Sequence, residues 1–177
     1  MPLPFPAKAL HNGGMKTLLI VYHSHTGGAR QMAMAAADGA LAEPAIHVEL
    51  RHAPEAGSHD VLTADGFLFA CPEMLGSMAG LMKDFFDRHY YAALDRLNGR
   101  PYASLICAGS DGHGAARQIE RIATGWRLRA VAEPLIVLTH AQTPETILAP
   151  KHLHADDLDR CGELGQAMAS GLALGVF

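Results

Sequence analysis

Runs of apolar residues alternate along this chain with segments of helical periodicity, and that alternation constrains the fold more than any other feature. "KTLLIVY" (Lys16–Tyr22), "GFLFAC" (Gly66–Cys71), "YASLICA" (Tyr102–Ala108) and "PLIVLT" (Pro134–Thr139) are short and apolar, as strands buried on both faces are. "AIHVELR" (Ala45–Arg51) alternates and reads as a more exposed strand. Between them lie helical patterns at Ala29–Leu41, Met78–Leu97 and His113–Trp126, and a last one closes the chain at Asp156–Leu174. The first is alanine-rich, which permits close approach to a sheet. The second carries Leu81, Phe85 and Phe86 on one face and Lys83, Asp84, Asp87 and Arg88 mostly on the other. The last has an apolar stripe of Leu158, Cys161, Leu164, Met168 and Leu172, with Asp156 and Asp157 suited to its positive N-terminal end. Strand-helix-strand units of this kind predict an α/β fold: a parallel sheet of five strands with helices on both faces.

Length and composition narrow the function classes. The 177 residues fit one domain with a sizeable core. Residues 1–14, "MPLPFPAKALHNGG", show no periodicity and read as a flexible leader or tag-like extension, leaving 15–177 as a single domain. Net charge is −4 with no basic stripe, which gives nucleic-acid binding little support. No run reaches the ~18 apolar residues that span a bilayer. Cys71, Cys107 and Cys161 are odd in number and widely spaced, so no disulfide framework is expected. A cytoplasmic location follows as the default.

In a doubly wound sheet ligands bind at the carboxyl ends of the strands. The segments there are "HSHTGGAR", "PEMLGSMAG" and "AGSDGHGAAR", all polar and glycine-bearing. The dinucleotide pattern G-x-G-x-x-G is absent after the first strand, and so is a Gly-Lys-Ser/Thr phosphate loop. Tyr22 and His23 end the first strand, where a response regulator needs acidic residues. The first loop then has three readings: a metal site on His23 and His25, a phosphate cradle at a helix start, or a polar turn. A histidine pair with no third ligand, no H-E-x-x-H and no cysteine pair gives no expected metal site. A hydroxyl-rich loop entering a helix suits a phosphate without any basic residue.

"SHTGGA" (Ser24–Ala29) resembles the phosphate loop S/T-x-T-G-x-T of flavodoxins. "CPEMLGSMAGLMKDFFDR" (Cys71–Arg88) and "AGSDGHGAARQIERI" resemble the second and third flavin loops of flavodoxin-like NADPH-dependent FMN reductases and NAD(P)H:quinone oxidoreductases. The resemblance spans Lys16 to about Val137. It implies a flavodoxin-like doubly wound sheet of strand order 2-1-3-4-5. It also implies an FMN whose phosphate lies among Ser24, His25, Thr26, Gly27, Gly28 and Ala29. Ala29 departs from the pattern, which ends in Thr. Pro72, Glu73, Met74, Leu75, Gly76 and Ser77 would border the ribityl chain and the flavin ring. Gly109, Ser110, Asp111 and Gly112 would lie at the pyrimidine end, with His113 the ionisable side chain placed to orient an acceptor or carry a proton. The implied activity is NAD(P)H-dependent reduction of a quinone or flavin, with NADH or NADPH as co-substrate and a homo-oligomeric assembly. A flavodoxin-type electron carrier, or a binding domain without turnover, are the alternatives. Neither the second nor the third loop contains Trp or Tyr, which favours the enzyme over a carrier.

Overall fold

The structure is a computed structural model describing residues 14–177; the leader expected over 1–14 otherwise lies outside the described residues. β1 (Lys16–Tyr22), β2 (Ile46–His52), β3 (Gly66–Met74) and β5 (Pro101–Ala108) are parallel. β6 (Arg129–Ala130) and β7 (Leu135–Leu138) both run parallel to β5 and share its outer edge. The path β2-β1-β3-β5-β6 is the expected order 2-1-3-4-5, with β6 and β7 together forming the fifth position.

Alternation along the strands explains the uninterrupted apolar runs. Leu18, Ile20, Leu68, Ala70, Leu105 and Cys107 face one side of the sheet. They pack there against α1 (Gly28–Ala40) and α6 (Ala155–Leu174). Leu19, Val21, Phe67, Phe69 and Ile106 face the other side. Their partners are Phe85 and Phe86 of α3 (Gly80–Ala93) and Ile119 of α4 (His113–Gly125). Each fully buried Phe or Leu contributes about 1.5–3 kcal/mol. Trp126 packs edge-on against Phe86 at 5.2 Å between centroids, and its Nε1 is buried with no acceptor among the described residues.

α1 and α6 meet backbone to backbone. A Cβ added at Gly165 would run into the carbonyl of Ala36, and one at Gly39 into that of Gly162. The alanines of α1 and the glycines of α6 make that approach possible.

Several elements depart from expectation. The last strand is Leu135–Leu138 with a separate pair at Arg129–Ala130, because Pro134 has no N–H to give the ladder. The second predicted helix begins at Gly80, since Met78 belongs to a hairpin, and ends at Ala93, since Asp95 turns to φ 55. Leu81 is exposed on it, and Met82 takes the buried position beside Phe85 and Phe86. Two short helices were not expected: α2 (Ser58–Thr63) and α5 (Pro144–Leu148). The Thr143 hydroxyl caps α5 by accepting from the Thr146 N–H, with Pro144 in its first turn. Among the described residues no helix is long and apolar enough to cross a membrane.

Candidate functional site

Because β1, β3, β5 and β7 are parallel, their carboxyl ends open on one edge, and all three predicted loops lie there. Two helices start at that edge in the same way. Gly27 caps α1 at φ 93, and Gly112 caps α4 at φ 89, both left-handed. Only glycine adopts this conformation cheaply. At Gly112 a Cβ would also press Ile136 Cγ2 at 2.6 Å.

The two helix starts differ in what satisfies them. At α4 the Glu73 carboxylate accepts the N–H of Gly112 at 2.9 Å and of Ala115 at 3.1 Å. A carboxylate at a helix N-terminus meets both the free donors and the positive end of the dipole. At α1 there is no such cap. The Gly27 N–H donates to Ser24 Oγ at 3.1 Å, while the N–H groups of Gly28, Ala29 and Arg30 meet no acceptor among the described residues. The Ser24 hydroxyl proton is left to donate, and Thr26 supplies a second half-buried hydroxyl. One helix N-terminus already holds a carboxylate of the protein, and the other is open to an anion.

A strap from far along the chain fixes the open one. The Lys151 N–H donates to the Thr26 carbonyl at 2.7 Å. Gln31 Nε2 donates to the carbonyls of Gly27 at 3.1 Å and Lys151 at 2.6 Å, while its Oε1 accepts from the Leu153 N–H at 3.2 Å. The loop's carbonyls are thereby held by the strap. Gly28 lies between Cys107 Sγ and Lys151 Cβ, where a side chain has no room.

The second loop is a hairpin. β3 runs through Pro72 and Glu73 to Met74 and pairs antiparallel with β4 (Ser77–Met78). Leu75 and Gly76 make its turn at φ 53 and 73, with the Leu75 side chain fully exposed. Such a turn suits a hairpin's twist, but at Leu75 it stores roughly 1 kcal/mol of strain. The hairpin is locked to α4 from both sides. Glu73 caps the helix, and Gln118 accepts from the Met78 N–H at 2.9 Å and donates to Ser77 Oγ at 3.2 Å. A Cβ at Gly114 would strike the Gly76 carbonyl. With the Glu73 carboxylate so engaged, the segment presents mainly backbone to a ligand.

Gly109 sits under the Ala141 carbonyl, and Ser110, Asp111 and His113 are exposed beside the hairpin. Gln31, Gln118, Gly114 and Lys151 were missed by sequence reasoning. Gln31 and Lys151 act across 120 residues with no local signal, whereas Gly114 stood within "GSDGHGAAR".

His23 and His25 do converge, and with them His52. Among the described residues no group of three or more His, Cys, Asp or Glu is arranged to hold a metal. His23 turns a different ring nitrogen to each neighbour, so the three imidazoles do not share a centre. The cysteines are free and buried, and burial pushes their thiols up, Cys71 and Cys161 to about 12 and Cys107 to about 11. Buried and raised in this way, the thiols stay protonated at neutral pH.

Known proteins share this architecture. A flavodoxin of Aquifex aeolicus is 35% identical over 100 residues, 56% of this chain and 52% of the relative. An NAD(P)H dehydrogenase (quinone) of Acidithiobacillus ferrooxidans is 34% identical over 94 residues, 42% of this chain and 47% of the relative. The chain thus spans about half the length of these relatives. Among solved structures, an archaeal flavodoxin superposes with TM-score 0.72 at 18% identity over 88% of this chain and 98% of its own. A WrbA-like flavodoxin from Agrobacterium tumefaciens gives 0.71 at 17% over 90% and 98%. These likenesses establish the flavodoxin-like fold. Residues 42–143, more than half of the sequence, match a family of flavin reductases, and by that match the chain belongs to the NADPH-dependent FMN reductase family.

Proposed function

We propose that the chain binds FMN at this edge and uses it to pass reducing equivalents from NADH or NADPH to a quinone or a flavin. The carrying observation is the open start of α1. It leaves three backbone N–H groups and two hydroxyls for an anion, on the same edge as a locked hairpin and the third loop.

The residues fit such a group. Ser24 and Thr26 would donate hydroxyls to the phosphate, and Gly28, Ala29 and Arg30 their N–H groups; Gly27 is already engaged with Ser24. Ala29 lacks the pattern's hydroxyl but keeps its backbone donor. Pro72–Ser77 would line the ring, with backbone N–H groups of the residues after Pro72 as donors, a means of tuning a flavin without catalytic side chains. His113 is exposed at the start of α4 and would orient an acceptor from solvent. When bound, FMN supplies hydride acceptance and redelivery. The apolar, exposed Met74 and Leu75 at the hairpin tip suit an acceptor that enters and leaves over an open face. The family likeness adds the expectation of a homo-oligomer, read by light scattering.

The test is anaerobic. Protein titrated with FMN should become yellow and should bleach with NADH or NADPH, then regain colour with a quinone. Failure to take up FMN sinks the reading. Uptake without bleaching replaces the reductase with an electron carrier.

A further inference from the structure

Three imidazoles line up beside the phosphate loop. His52 ends β2, His23 directly follows β1, and His25 lies within the loop between Ser24 and Thr26. His23 Nδ1 is 3.1 Å from His52 Nε2, and His23 Nε2 is 3.4 Å from His25 Nε2. The His23 and His52 rings stack at 5.3 Å, and the His25 ring meets His23 edge-on at 4.7 Å. His23 is 5% exposed, whereas His25 is exposed.

A neutral imidazole carries one ring proton, so His23 donates through one nitrogen and accepts through the other. With its proton on Nδ1 it donates to His52 Nε2 and accepts from a proton on His25 Nε2. A further proton can then join His25 at Nδ1 without disturbing either contact. The positive charge rests on the exposed ring, and the bond from His25 to His23 becomes charge-assisted. His23 itself resists charging. Burial first, then the neighbouring His25 and His52, holds its imidazole down at about 4.

Most charged groups on the surrounding elements have other partners; Arg30 of α1 and Glu55 after β2 are exposed, with no side-chain partner among the described residues. Arg51 of β2 pairs with Glu49 and Asp60. Arg88 of α3 pairs with Asp84 and donates to the carbonyls of Ala53 and Ala56 after β2. Lys151 of the strap donates to the carbonyls of Thr146, Ile147 and Ala149. Tyr22 of β1 lies against His52, and no carboxylate is among the groups that shift His23. None of the three imidazoles has a carboxylate at ion-pair distance among the described residues, just where α1 offers unmet donors.

We infer that the His52–His23–His25 chain is the proton-accepting part of the phosphate site: a phosphate dianion held by the loop draws one proton from solvent onto His25. The inference rests on the FMN reading and adds regulation by pH to it. By linkage, phosphate binding and protonation strengthen each other equally.

The experiment measures FMN and riboflavin affinity by flavin fluorescence between pH 7 and 8.5. FMN is mostly dianionic there, since its second phosphate pKa is about 6. Wild-type protein should lose FMN affinity as pH rises, by up to about tenfold per unit for one coupled proton, while riboflavin stays flat. His25→Gln should bind FMN more weakly at pH 7 and flatten the profile. His25→Lys should bind tightly without pH dependence. Calorimetry in two buffers of different ionisation enthalpy should show proton uptake on FMN binding, absent in His25→Gln. Equal pH profiles in wild type and His25→Gln, or FMN binding without proton uptake, overturn this inference alone. Failure to bind either flavin overturns the FMN reading and this with it.

Discussion

The Glu73 carboxylate accepts the Gly112 N–H at 2.9 Å across 39 residues of chain, and so joins the hairpin of the second loop to the start of α4 as one rigid piece. The second contact, from Ala115, makes Glu73 a two-donor cap.

Glu73→Ala should therefore destabilise the protein by about 1–2 kcal/mol, the cost of leaving a helix start uncapped. Urea denaturation reads it. Glu73→Gln keeps acceptor capacity and should recover part of the loss; equal effects of the two variants would contradict the cap.

Two glycines in helices predict opposite outcomes. At Gly165 a Cβ collides with the Ala36 backbone, so Gly165→Ala should cost about 1–3 kcal/mol as α1 and α6 are forced apart. At Gly125 nothing lies within 4 Å, so Gly125→Ala should be neutral or stabilising by up to about 1 kcal/mol. Thermal melts of the two variants side by side decide it.

Gln31→Ala removes the side chain that grips Gly27, Lys151 and Leu153. Hydrogen exchange should rise at residues 149–154 before any global change, and FMN binding should weaken. Unchanged exchange there would show that the strap holds without Gln31.

Acid should loosen the ligand-free protein. His23 is held at about 4 in the fold against an ordinary value of 6.5, so folding favours its neutral form. That stability is present above pH 6.5 and is lost as pH falls toward 4, by up to about 1.4 kcal/mol per unit. His89, likewise lowered by burial, adds to the trend. Denaturant midpoints from pH 7 to 4 should drop more steeply in wild type than in His23→Asn.

Much of the fold was legible because two-sided burial leaves an unmistakable signature. Lys16–Tyr22 and Gly66–Cys71 have no polar position because each face of the sheet carries its own core. The hairpin was hidden because its turn demands a left-handed Leu75, which no local rule assigns to leucine. The split after β5 was hidden because a proline's missing donor matters only once its neighbours are known. At the site, the loops and their glycines could be read from type and spacing. Which helix start is open could not, since Glu73 and Gly112 meet only in three dimensions. His52 was equally invisible, because it joins His23 through strand register, with Tyr22 opposite His52.

The strap also sets an order of events during synthesis. The carbonyls of Thr26 and Gly27 find their partners at Lys151 and Gln31, and Gln31 is completed only by Lys151 and Leu153. Residues as far as Leu153 must be made before the loop at Thr26–Gly27 is fully braced. On the proposed FMN reading, fragments ending before residue 151 should stay colourless however well their strands have formed.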